Sequence, residues 1–290
     1  MKKFKESELI LNPDGSVFHI QLRPEDVADT VILVGDQYRV PVISKYFDEI
    51  EVKKSGREFV THTGTLNGKR LTVLSTGIGT DNIDIVVNEL DAAVNIDLEK
   101  RIPKEKHTAL NLVRLGTTGA LQPGLEVDSF VASAYGLGFD GLLNFYQYDE
   151  KFLEKEMVEA FIQHTGWNSK LPYPYIIKAS ENLLKKLAFD MPSGITATAN
   201  GFYGPQGRQL RIPLAFPELN ERIEDFRFGS ERITNFEMET SAIYALGKTL
   251  GHNTLTICDI IANRVTKQFS KDYKASVEKL IQLVLERLTS

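Results

Sequence analysis

The sequence contains a single cysteine, Cys258, among its 290 residues, which rules out an intrachain disulfide and a cysteine-rich zinc site. No apolar stretch approaches the roughly 18 residues of a membrane-spanning helix, and the first eleven residues hold no signal-peptide core. Basic residues are not in excess, because 34 Lys and Arg face 39 Asp and Glu, a formal charge of −5. This balance argues against a broad nucleic-acid surface. We therefore predict a cytoplasmic protein with no nucleic-acid partner and no membrane association.

Hydrophobic residues make up 42% of the sequence and charged residues 25%, which is typical of a globular protein. Apolar strand-like runs alternate with helical periodicity, a pattern that predicts an α/β protein with a mostly buried sheet. Neither a repeat nor a linker rich in Pro, Gly or Ser interrupts it, so we predict one domain over residues 1–290. The predicted strands cover residues 30–34, 57–66, 69–75, 110–115, 129–135, 175–178, 194–200 and 254–261, and the predicted helices cover 83–94, 150–164, 181–187, 240–250 and 277–288.

Gly35 and Arg39 follow the first predicted strand at the point where a helix could begin. A glycine lets the backbone approach a ligand, and free N–H groups together with an arginine would hold an anion. The same residues also fit an ordinary β-turn followed by a surface arginine. The segment is a candidate anion site, with the plain turn as the alternative.

Arg114 lies inside an apolar strand, where burial of a guanidinium is costly unless it meets an anion or a carboxylate. Gly116, Thr117, Thr118 and Gly119 follow it, and they could donate hydrogen bonds to a phosphate or a sugar. A structural salt bridge is the alternative role for Arg114. The sequence alone leaves both open.

Two further segments carry polar groups suited to a ligand. Glu237 and Glu239 flank Met238 just before the helix that starts near Thr240. Glu239 could accept hydrogen bonds from ribose hydroxyls, although acids at a helix N-terminus also complement the helix dipole. The loop at residues 202–208 combines an aromatic ring, an amide and a guanidinium, which match the mixed donor and acceptor edge of a uracil-like base.

Several common kinds of site lack their sequence pattern. The five histidines show no spacing typical of zinc ligands, so we predict no metal site. The stretch that begins at Gly77 lacks the third glycine of a dinucleotide loop, because Asn82 stands there. No Gly-x-Ser-x-Gly elbow occurs, and Cys258 has no activating neighbour in the sequence. These absences argue against covalent catalysis by a serine or a cysteine.

Taken in order, the segments across residues 16–268 resemble the nucleoside phosphorylase superfamily, and most closely its uridine phosphorylase branch. The resemblance implies a three-layer α/β/α sandwich with a central mixed, partly barrel-like β-sheet. It also implies reversible phosphorolysis of uridine, and of other pyrimidine nucleosides, to the base and ribose 1-phosphate. This pentosyltransferase reaction of nucleoside salvage uses inorganic phosphate as co-substrate and no cofactor.

The resemblance implies a role for each matched residue. Phosphate binding falls to Gly35, Arg39, Arg57, Arg114 and Thr117, ribose binding to His19, Thr117, Met238 and Glu239, and base binding to Thr118, Gly119, Phe202, Gln206, Arg208, Ile261 and Arg264. The implied catalytic set is Arg39, Arg114, Gln206, Arg208 and Glu239. In the family, the counterparts of His19 and Arg57 reach the neighbouring subunit's site. We therefore expect a homodimer as the active unit, and the family also assembles hexamers.

Two departures from the family pattern bear on substrate and ions. Asp81 and Asn82 replace the usual Pro-Ser near a subunit interface, which weakens the expectation of a monovalent-cation site there. Asp259 falls where purine-specific relatives and nucleosidases carry the acid that protonates a purine, and it is a candidate for that role.

Asp259 leaves two other activities as alternatives. These are a purine nucleoside phosphorylase and a nucleosidase acting on 5′-methylthioadenosine or S-adenosylhomocysteine. A non-catalytic nucleoside-binding protein on the same fold is a third alternative. We favour the pyrimidine phosphorylase because Gln206 and Arg208 supply two directional contacts to a base, whereas Asp259 supplies one.

Overall fold

The computed structural model describes residues 3–290 of the chain. The described residues form fourteen strands, which are Thr30–Val34 (β1), Glu49–Gly56 (β2), Phe59–Leu66 (β3), Lys69–Ser75 (β4), Ile96–Asp97 (β5), Ile102–Pro103 (β6), Asn111–Ala120 (β7), Phe130–Gly138 (β8), Tyr175–Lys178 (β9), Ser193–Thr198 (β10), Arg227–Phe228 (β11), Glu231–Glu237 (β12), Asn253–Asn263 (β13) and Gln268–Phe269 (β14). They also form seven α-helices, which are Arg39–Ser44 (α1), Thr80–Asn95 (α2), Lys155–Thr165 (α3), Glu181–Leu187 (α4), Leu219–Asp225 (α5), Thr240–Thr249 (α6) and Tyr273–Thr289 (α7). Over this part of the chain, no helix combines the length and the apolar character needed to cross a membrane.

All strands except the β5–β6 pair belong to one mixed sheet, in the order β11-β12-β10-β8-β13-β7-β1-β4-β3-β2, with β9 beside β8 and β14 beside β13. β1, β4, β7 and β13 run parallel to one another. β12 also pairs antiparallel with β7, placing Asn235 opposite Ala120 and Phe236 opposite Gly119. This extra pairing closes β7, β12, β10, β8 and β13 into a ring. The predicted α/β fold with a mixed, partly barrel-like sheet is confirmed.

Helices cover both faces of the sheet at β13. A methyl group of Thr254 lies against Gly247 of α6, 2.4 Å from where a Cβ on that glycine would stand. Asp259 is five residues further along the same strand, and it accepts a hydrogen bond from Ser276 of α7 at 2.5 Å. Because successive side chains of a strand point to opposite faces, α6 and α7 lie on opposite sides of the sheet.

Local sequence accounts for much of this architecture. Val31 to Val34 of β1 are all buried, as expected of a parallel strand that is covered on both faces. Asn67 and Gly68 both adopt positive φ, 50° and 72°, which gives the predicted type I′ hairpin turn between β3 and β4. β9 and α4 coincide with their predicted ranges.

The sequence pattern does not delimit β2, β12 or α5, and it predicts β7 and β13 shorter than they are. No residue of β2 is fully buried, because that strand forms the sheet edge and carries charged side chains, so its hydrophobic pattern is weak. The extra length of β7 includes Gly119 and Ala120, whose strand partners come from β12, more than a hundred residues later. Pairing over such a separation leaves no local signal in the sequence.

Buried polar side chains link four of the five strands that form the ring. Ser133 of β8 bonds Thr196 of β10 at 2.6 Å, and Thr196 donates to Asn235 of β12 at 3.0 Å. Asn235 in turn donates to the hydroxyl of Thr118 of β7 at 2.8 Å. Since every group in this chain has a partner, the network holds the strands in one register.

Asn235→Ala should destabilise the fold, because it leaves the buried hydroxyl of Thr196 without its acceptor and removes the donor to Thr118. We expect the free energy of unfolding to fall by about 2–3 kcal/mol, measured by urea denaturation. Asn253→Ala is the matched control, since Asn253 is exposed and bonds only Asn111 through its side chain. Equal effects of the two substitutions would contradict a structural role for the network.

Candidate functional site

A cleft of about 690 Å³ opens beyond the carboxyl ends of β1, β4, β7 and β13, where parallel α/β sheets bind their ligands. Its walls come from chain segments far apart in sequence. Most of the predicted site residues line it, namely Gly35, Arg39, Arg114, Thr117, Thr118, Gly119, Phe202, Gln206, Arg208, Met238, Glu239 and Ile261. The exceptions are His19, Arg57, Asp259 and Arg264.

Arg39 is a cation beside the cleft that has no carboxylate partner among the described residues. The chain turns at Gly35 after β1, and Arg39 begins α1. Its Nη1 donates to the carbonyl oxygen of Leu115 at 3.1 Å, and within residues 3–290 no acid forms an ion pair with it. Burial and the neighbouring Arg114 lower the pKa of the Arg39 guanidinium. Both effects oppose its charge, so an anion in the cleft would relieve them.

Arg114 of β7 is buried between two carboxylates. Its Nη2 donates to Oε2 of Glu239, and its Nη1 lies 3.5 Å from Oε2 of Glu237. Burial alone would lower the pKa of the guanidinium, but Glu239 and Glu237 outweigh it and raise that pKa. The sequence left open whether Arg114 meets a ligand or a carboxylate. The structure shows the two carboxylates, on a guanidinium that also lines the cleft.

Gly116 leaves the space in which the Arg114 guanidinium lies. A Cβ at Gly116 would stand 1.8 Å from Nη1 of Arg114 and 3.0 Å from Sγ of Cys258. Burial raises the pKa of the Cys258 thiol to about 12, so the sulfur stays protonated at neutral pH. Cys258 therefore packs beneath the arginine as a neutral thiol.

Hydrogen bonds hold Glu237 and Glu239 in place at the start of α6. The Glu237 carboxylate accepts the N–H groups of Glu239 and Thr240, each at 2.9 Å, and the hydroxyl of Thr198 at 2.6 Å. Oε1 of Glu239 accepts the N–H of Gly79 at 2.8 Å. The Glu239 carboxylate is thus fixed by the β4–α2 loop at one oxygen and by β7 at the other.

Gln206 and Arg208 are joined into one hydrogen-bonding unit on the loop after β10. Nη1 of Arg208 donates to Oε1 of Gln206 at 2.7 Å and to the carbonyl of Phe202 at 2.6 Å. The guanidinium lies 3.9 Å above the Phe202 ring, and Asn220 donates to the carbonyl of Gln206 at 3.0 Å. Since the Gln206 amide oxygen accepts from Arg208, its NH₂ group can meet a carbonyl oxygen of a base.

Two predicted base-binding residues, Thr118 and Arg264, make contacts with the protein as well. The hydroxyl of Thr118 donates to the carbonyl of Phe236 at 2.6 Å, so only its remaining surface faces the cleft. Arg264 lies against Gly119, since a Cβ on that glycine would be 3.5 Å from the Arg264 side chain. Its guanidinium lies 5.4 Å from the ring of Phe236, which lines the cleft, and burial together with the charge of Arg264 lowers the pKa of Arg208.

His19 and Arg57 lie next to each other and outside the cleft of their own subunit. Arg57 occupies the β2–β3 turn with φ of 54° and is exposed. A Cβ on the adjacent Gly56 would stand 3.2 Å from the carbonyl oxygen of His19. Glu58, the other residue of this turn, does line the cleft. The turn therefore reaches the rim of the cleft while its arginine stays outside the cleft wall.

Asp259 does not lie where it could protonate a bound purine, which was its candidate role. Its residue is fully buried, and its Oδ1 accepts the Ser276 hydroxyl of α7 at 2.5 Å. Oδ2 has no hydrogen-bond partner among the residues that the structure describes. The carboxyl points into the core beneath α7 because of its position in the alternation of β13. Burial raises the pKa of Asp259 to about 6.

Three residues that the sequence did not connect, Asp91, His107 and His252, bring potential metal-ligand atoms within 4.8 Å of one another. The N–H of Leu110 donates to Nδ1 of His252 at 3.1 Å, so a neutral ring carries its proton on Nε2. Nε2 is the nitrogen that faces Asp91, at 3.3 Å from Oδ1. A protonated nitrogen cannot ligate a metal. We therefore interpret this cluster as a contact between a carboxylate and a histidine N–H.

The cleft also contains residues that the sequence analysis did not select. Glu58, Asn82 and Phe236 line it, and each lies next to or within a segment that carries a predicted site residue or motif. Glu237 stood in the recognised motif, yet its ion pair with Arg114 depends on the β7–β12 pairing. Phe269 of β14 also lines the cleft, although the sequence around it contains no motif that predicts a site residue.

The family model described as phosphorylase superfamily matches residues 29–289 of this chain. The chain belongs to the phosphorylase superfamily. A uridine phosphorylase of Thermococcus kodakarensis is 32% identical over 272 residues, covering 93% of this chain and 86% of that protein. A purine nucleoside phosphorylase of the DeoD type from Bacillus thuringiensis is 24% identical over 275 residues, covering 92% of this chain and 97% of that protein.

Solved structures show the same fold. A Trypanosoma brucei nucleoside phosphorylase, described as showing uridine phosphorylase activity, superimposes with a TM-score of 0.87 at 29% identity, covering 97% of this chain and 99% of that one. A structure from a study of uridine phosphorylases of Phytophthora capsici gives a TM-score of 0.69 at 21% identity, over 100% of this chain and 99% of that one, and supports the fold alone.

Gly116→Ala should displace the Arg114 guanidinium, because the new methyl group would stand 1.8 Å from Nη1 while two carboxylates hold the arginine in place. We expect the affinity for inorganic phosphate, measured by titration calorimetry, to fall about tenfold or more. Gly124→Ala is the control, since a Cβ there meets nothing within 4 Å. Unchanged phosphate affinity in Gly116→Ala would remove Arg114 from the anion site.

Asp259 should make folding stability depend on pH. Its pKa is about 6 in the native state against an ordinary value of 3.8, so the native protein keeps a proton that the unfolded chain releases. The contribution of Asp259 to the free energy of unfolding is therefore fully present below about pH 4. It falls by roughly 2–3 kcal/mol as the pH rises through about 6.

Asp259→Asn copies the protonated acid and removes this dependence. The free energy of unfolding of the variant, relative to that of the parent protein, should increase as the pH rises from about 4.5 to about 7.5. Urea denaturation at both pH values measures this difference. A stability difference that does not change with pH would show that Asp259 is ionised throughout.

Proposed function

We propose that this protein catalyses the reversible phosphorolysis of uridine to uracil and ribose 1-phosphate, a reaction of pyrimidine salvage in the cytoplasm. The observation that carries the proposal is one cleft that holds three kinds of group. These are two arginines for an anion, a fixed carboxylate for a sugar, and an amide–guanidinium pair for a base. The relationship to uridine phosphorylases over almost the whole chain supports the same substrate.

Phosphate would bind at Arg39 and Arg114, with Thr117 beside them. Arg39 has a charge that no acid of the described chain neutralises, and Arg114 keeps its own charge because of Glu237 and Glu239. A phosphate dianion would accept charge-assisted hydrogen bonds from both guanidinium groups. A reaction with water would not require this pair of cations, so their presence favours phosphorolysis over hydrolysis.

Uracil would bind at Gln206 and Arg208. Its edge presents a carbonyl, an N–H and a second carbonyl, which call for a donor, an acceptor and a donor. The Gln206 amide supplies one donor and one acceptor, and the Arg208 guanidinium supplies the other donor. The amino group of adenine would face a donor in this arrangement, and such a mismatch disfavours adenine.

The reaction follows from these placements. As the bond between C1′ and N1 lengthens, positive charge develops on the ribose and negative charge on the uracil. Gln206 and Arg208 stabilise the departing uracil anion, and Glu239 holds the ribose through its hydroxyls. The phosphate oxygen held by Arg39 and Arg114 then attacks C1′ from the opposite face, with inversion. Catalysis is positional and electrostatic, and no covalent bond to the protein forms.

The active unit in this proposal is a homodimer. His19 and Arg57 lie together outside the cleft of their own subunit, and Arg57 is exposed on a turn at its rim. A two-fold symmetric partner would present the same pair to the opposite cleft. Arg57 would then add a third cation to the phosphate and His19 would contact the ribose 5′-hydroxyl. Larger assemblies such as hexamers could be built from such dimers.

The purine alternatives lose their main support in the placement of Asp259, which is buried beneath α7 and bonded to Ser276. A non-catalytic binding protein would require a broken set of phosphate or ribose residues. Arg39, Arg114 and Glu239 are all in the cleft, and the proposed dimer would supply Arg57 and His19 from the partner subunit.

One assay tests the proposed function. The purified protein is incubated with uridine, thymidine, inosine and 5′-methylthioadenosine, each with and without phosphate, and the released base is measured. We expect release of uracil that depends on phosphate. Release of adenine without phosphate would overturn the proposal in favour of a nucleosidase, and release of hypoxanthine alone would indicate a purine phosphorylase.

Arg208→Ala should lower kcat/KM for uridine by roughly 100-fold, because it removes a donor to the leaving uracil and the partner that orients Gln206. Steady-state kinetics at saturating phosphate measure the effect. Arg211→Ala is the matched control, since Arg211 is exposed on the same loop and does not line the cleft. Unchanged kinetics in Arg208→Ala would remove that residue from the base site.

A mixture of two inactive variants tests the shared site. Arg39→Ala damages a subunit's own cleft, whereas Arg57→Ala damages the cleft of its partner. Unfolding and refolding the two together should produce mixed dimers that each hold one intact site, so about a quarter of all sites should recover. Absence of any recovery, with mixed dimers present, would contradict sharing of the site between subunits.

A further inference from the structure

The carboxylate of Glu89, on α2, binds the segment that carries His19. Its Oε2 accepts the backbone N–H groups of His19 and Ile20, each at 2.9 Å. Oε1 lies 2.6 Å from Nδ1 of the His19 ring. Glu89 lies outside the described cleft, and neither the proposed mechanism nor the family resemblance uses it.

The three contacts fix where the His19 proton lies. An ionised carboxylate can only accept, so the short contact to Nδ1 requires a proton on that nitrogen. In the neutral ring Nε2 then carries a lone pair and acts as an acceptor. No hydrogen bond within residues 3–290 uses this Nε2, and about 29% of the His19 side chain is exposed. The ring is also held by edge contacts with Phe18 and Phe59, with centroids 4.8 Å and 6.4 Å away.

We propose that Glu89 is a positioning residue that orients His19 and keeps its proton on Nδ1, so that Nε2 accepts a hydrogen bond from the 5′-hydroxyl of a nucleoside in the partner's cleft. The proposal rests on the proposed function for the identity of that nucleoside. It makes the 5′-hydroxyl a hydrogen-bond donor. Nucleosides that lack a 5′-hydroxyl therefore gain nothing from the Glu89–His19 pair.

Glu89→Ala should release the His19 ring. We expect kcat/KM for uridine to fall about 5- to 10-fold, mainly through a higher KM, while KM for phosphate stays unchanged. With 5′-deoxyuridine as substrate the substitution should have no effect. It should likewise have no further effect in a His19→Ala background, because Glu89 acts through His19. Glu89→Gln keeps one acceptor for the backbone and should recover part of the loss.

Asp91→Ala is the matched control. Asp91 lies on the same helix and also faces a histidine, His252, at 3.3 Å, but neither residue lines the cleft. This substitution should leave kcat/KM unchanged for both uridine and 5′-deoxyuridine. A loss in Glu89→Ala that is equal for uridine and 5′-deoxyuridine, or that persists in the His19→Ala background, would overturn the proposal.

Nitrogen-15 NMR of histidine-labelled protein gives a second readout that needs no activity. The resting protein should show the His19 proton on Nδ1, and Glu89→Ala should shift the ring toward a mixture of tautomers. A proton on Nε2 in the unmodified protein would overturn the proposal. If the protein fails to cleave uridine, the proposed function falls, and the NMR result still decides whether Glu89 sets the tautomer of His19.

Discussion

The burial of Arg114 between Glu237 and Glu239 is the interaction on which the rest of the site depends. An unpaired charge at this depth would cost several kcal/mol, so the two acids and the arginine must stay together. Their meeting requires β12 to close against β7 and requires Gly116 to have no side chain. The same triad fixes the carboxylate proposed to hold ribose and a guanidinium proposed to hold phosphate, and it thereby couples the fold to the function.

A net charge of −5 coexists with a cleft that three arginines line, Arg39, Arg114 and Arg208. Arg39 faces the cleft with no acid of the described chain paired to it, and burial and Arg114 both lower its pKa. Overall charge therefore argues only against polyanions such as nucleic acid. It does not bear on a single phosphate, whose binding depends on the local field inside the cleft.

Local sequence predicted the elements that carry a strong pattern, such as β1, the Asn67-Gly68 hairpin, β9 and α4. Local sequence together with the family resemblance also predicted most of the residues that line the cleft. It could not predict that Asp259 points away from the cleft, since that depends on strand parity and on what packs behind the residue. Nor could it predict the β7–β12 pairing, which joins residues more than a hundred positions apart.

The fate of inorganic phosphate tests the central claim most directly. Phosphorus NMR of the protein with uridine and phosphate should show inorganic phosphate converted to ribose 1-phosphate in step with the uracil released. This result would follow if the phosphate held by Arg39 and Arg114 is the nucleophile. Formation of uracil together with free ribose, and no change in the phosphate signal, would contradict the account.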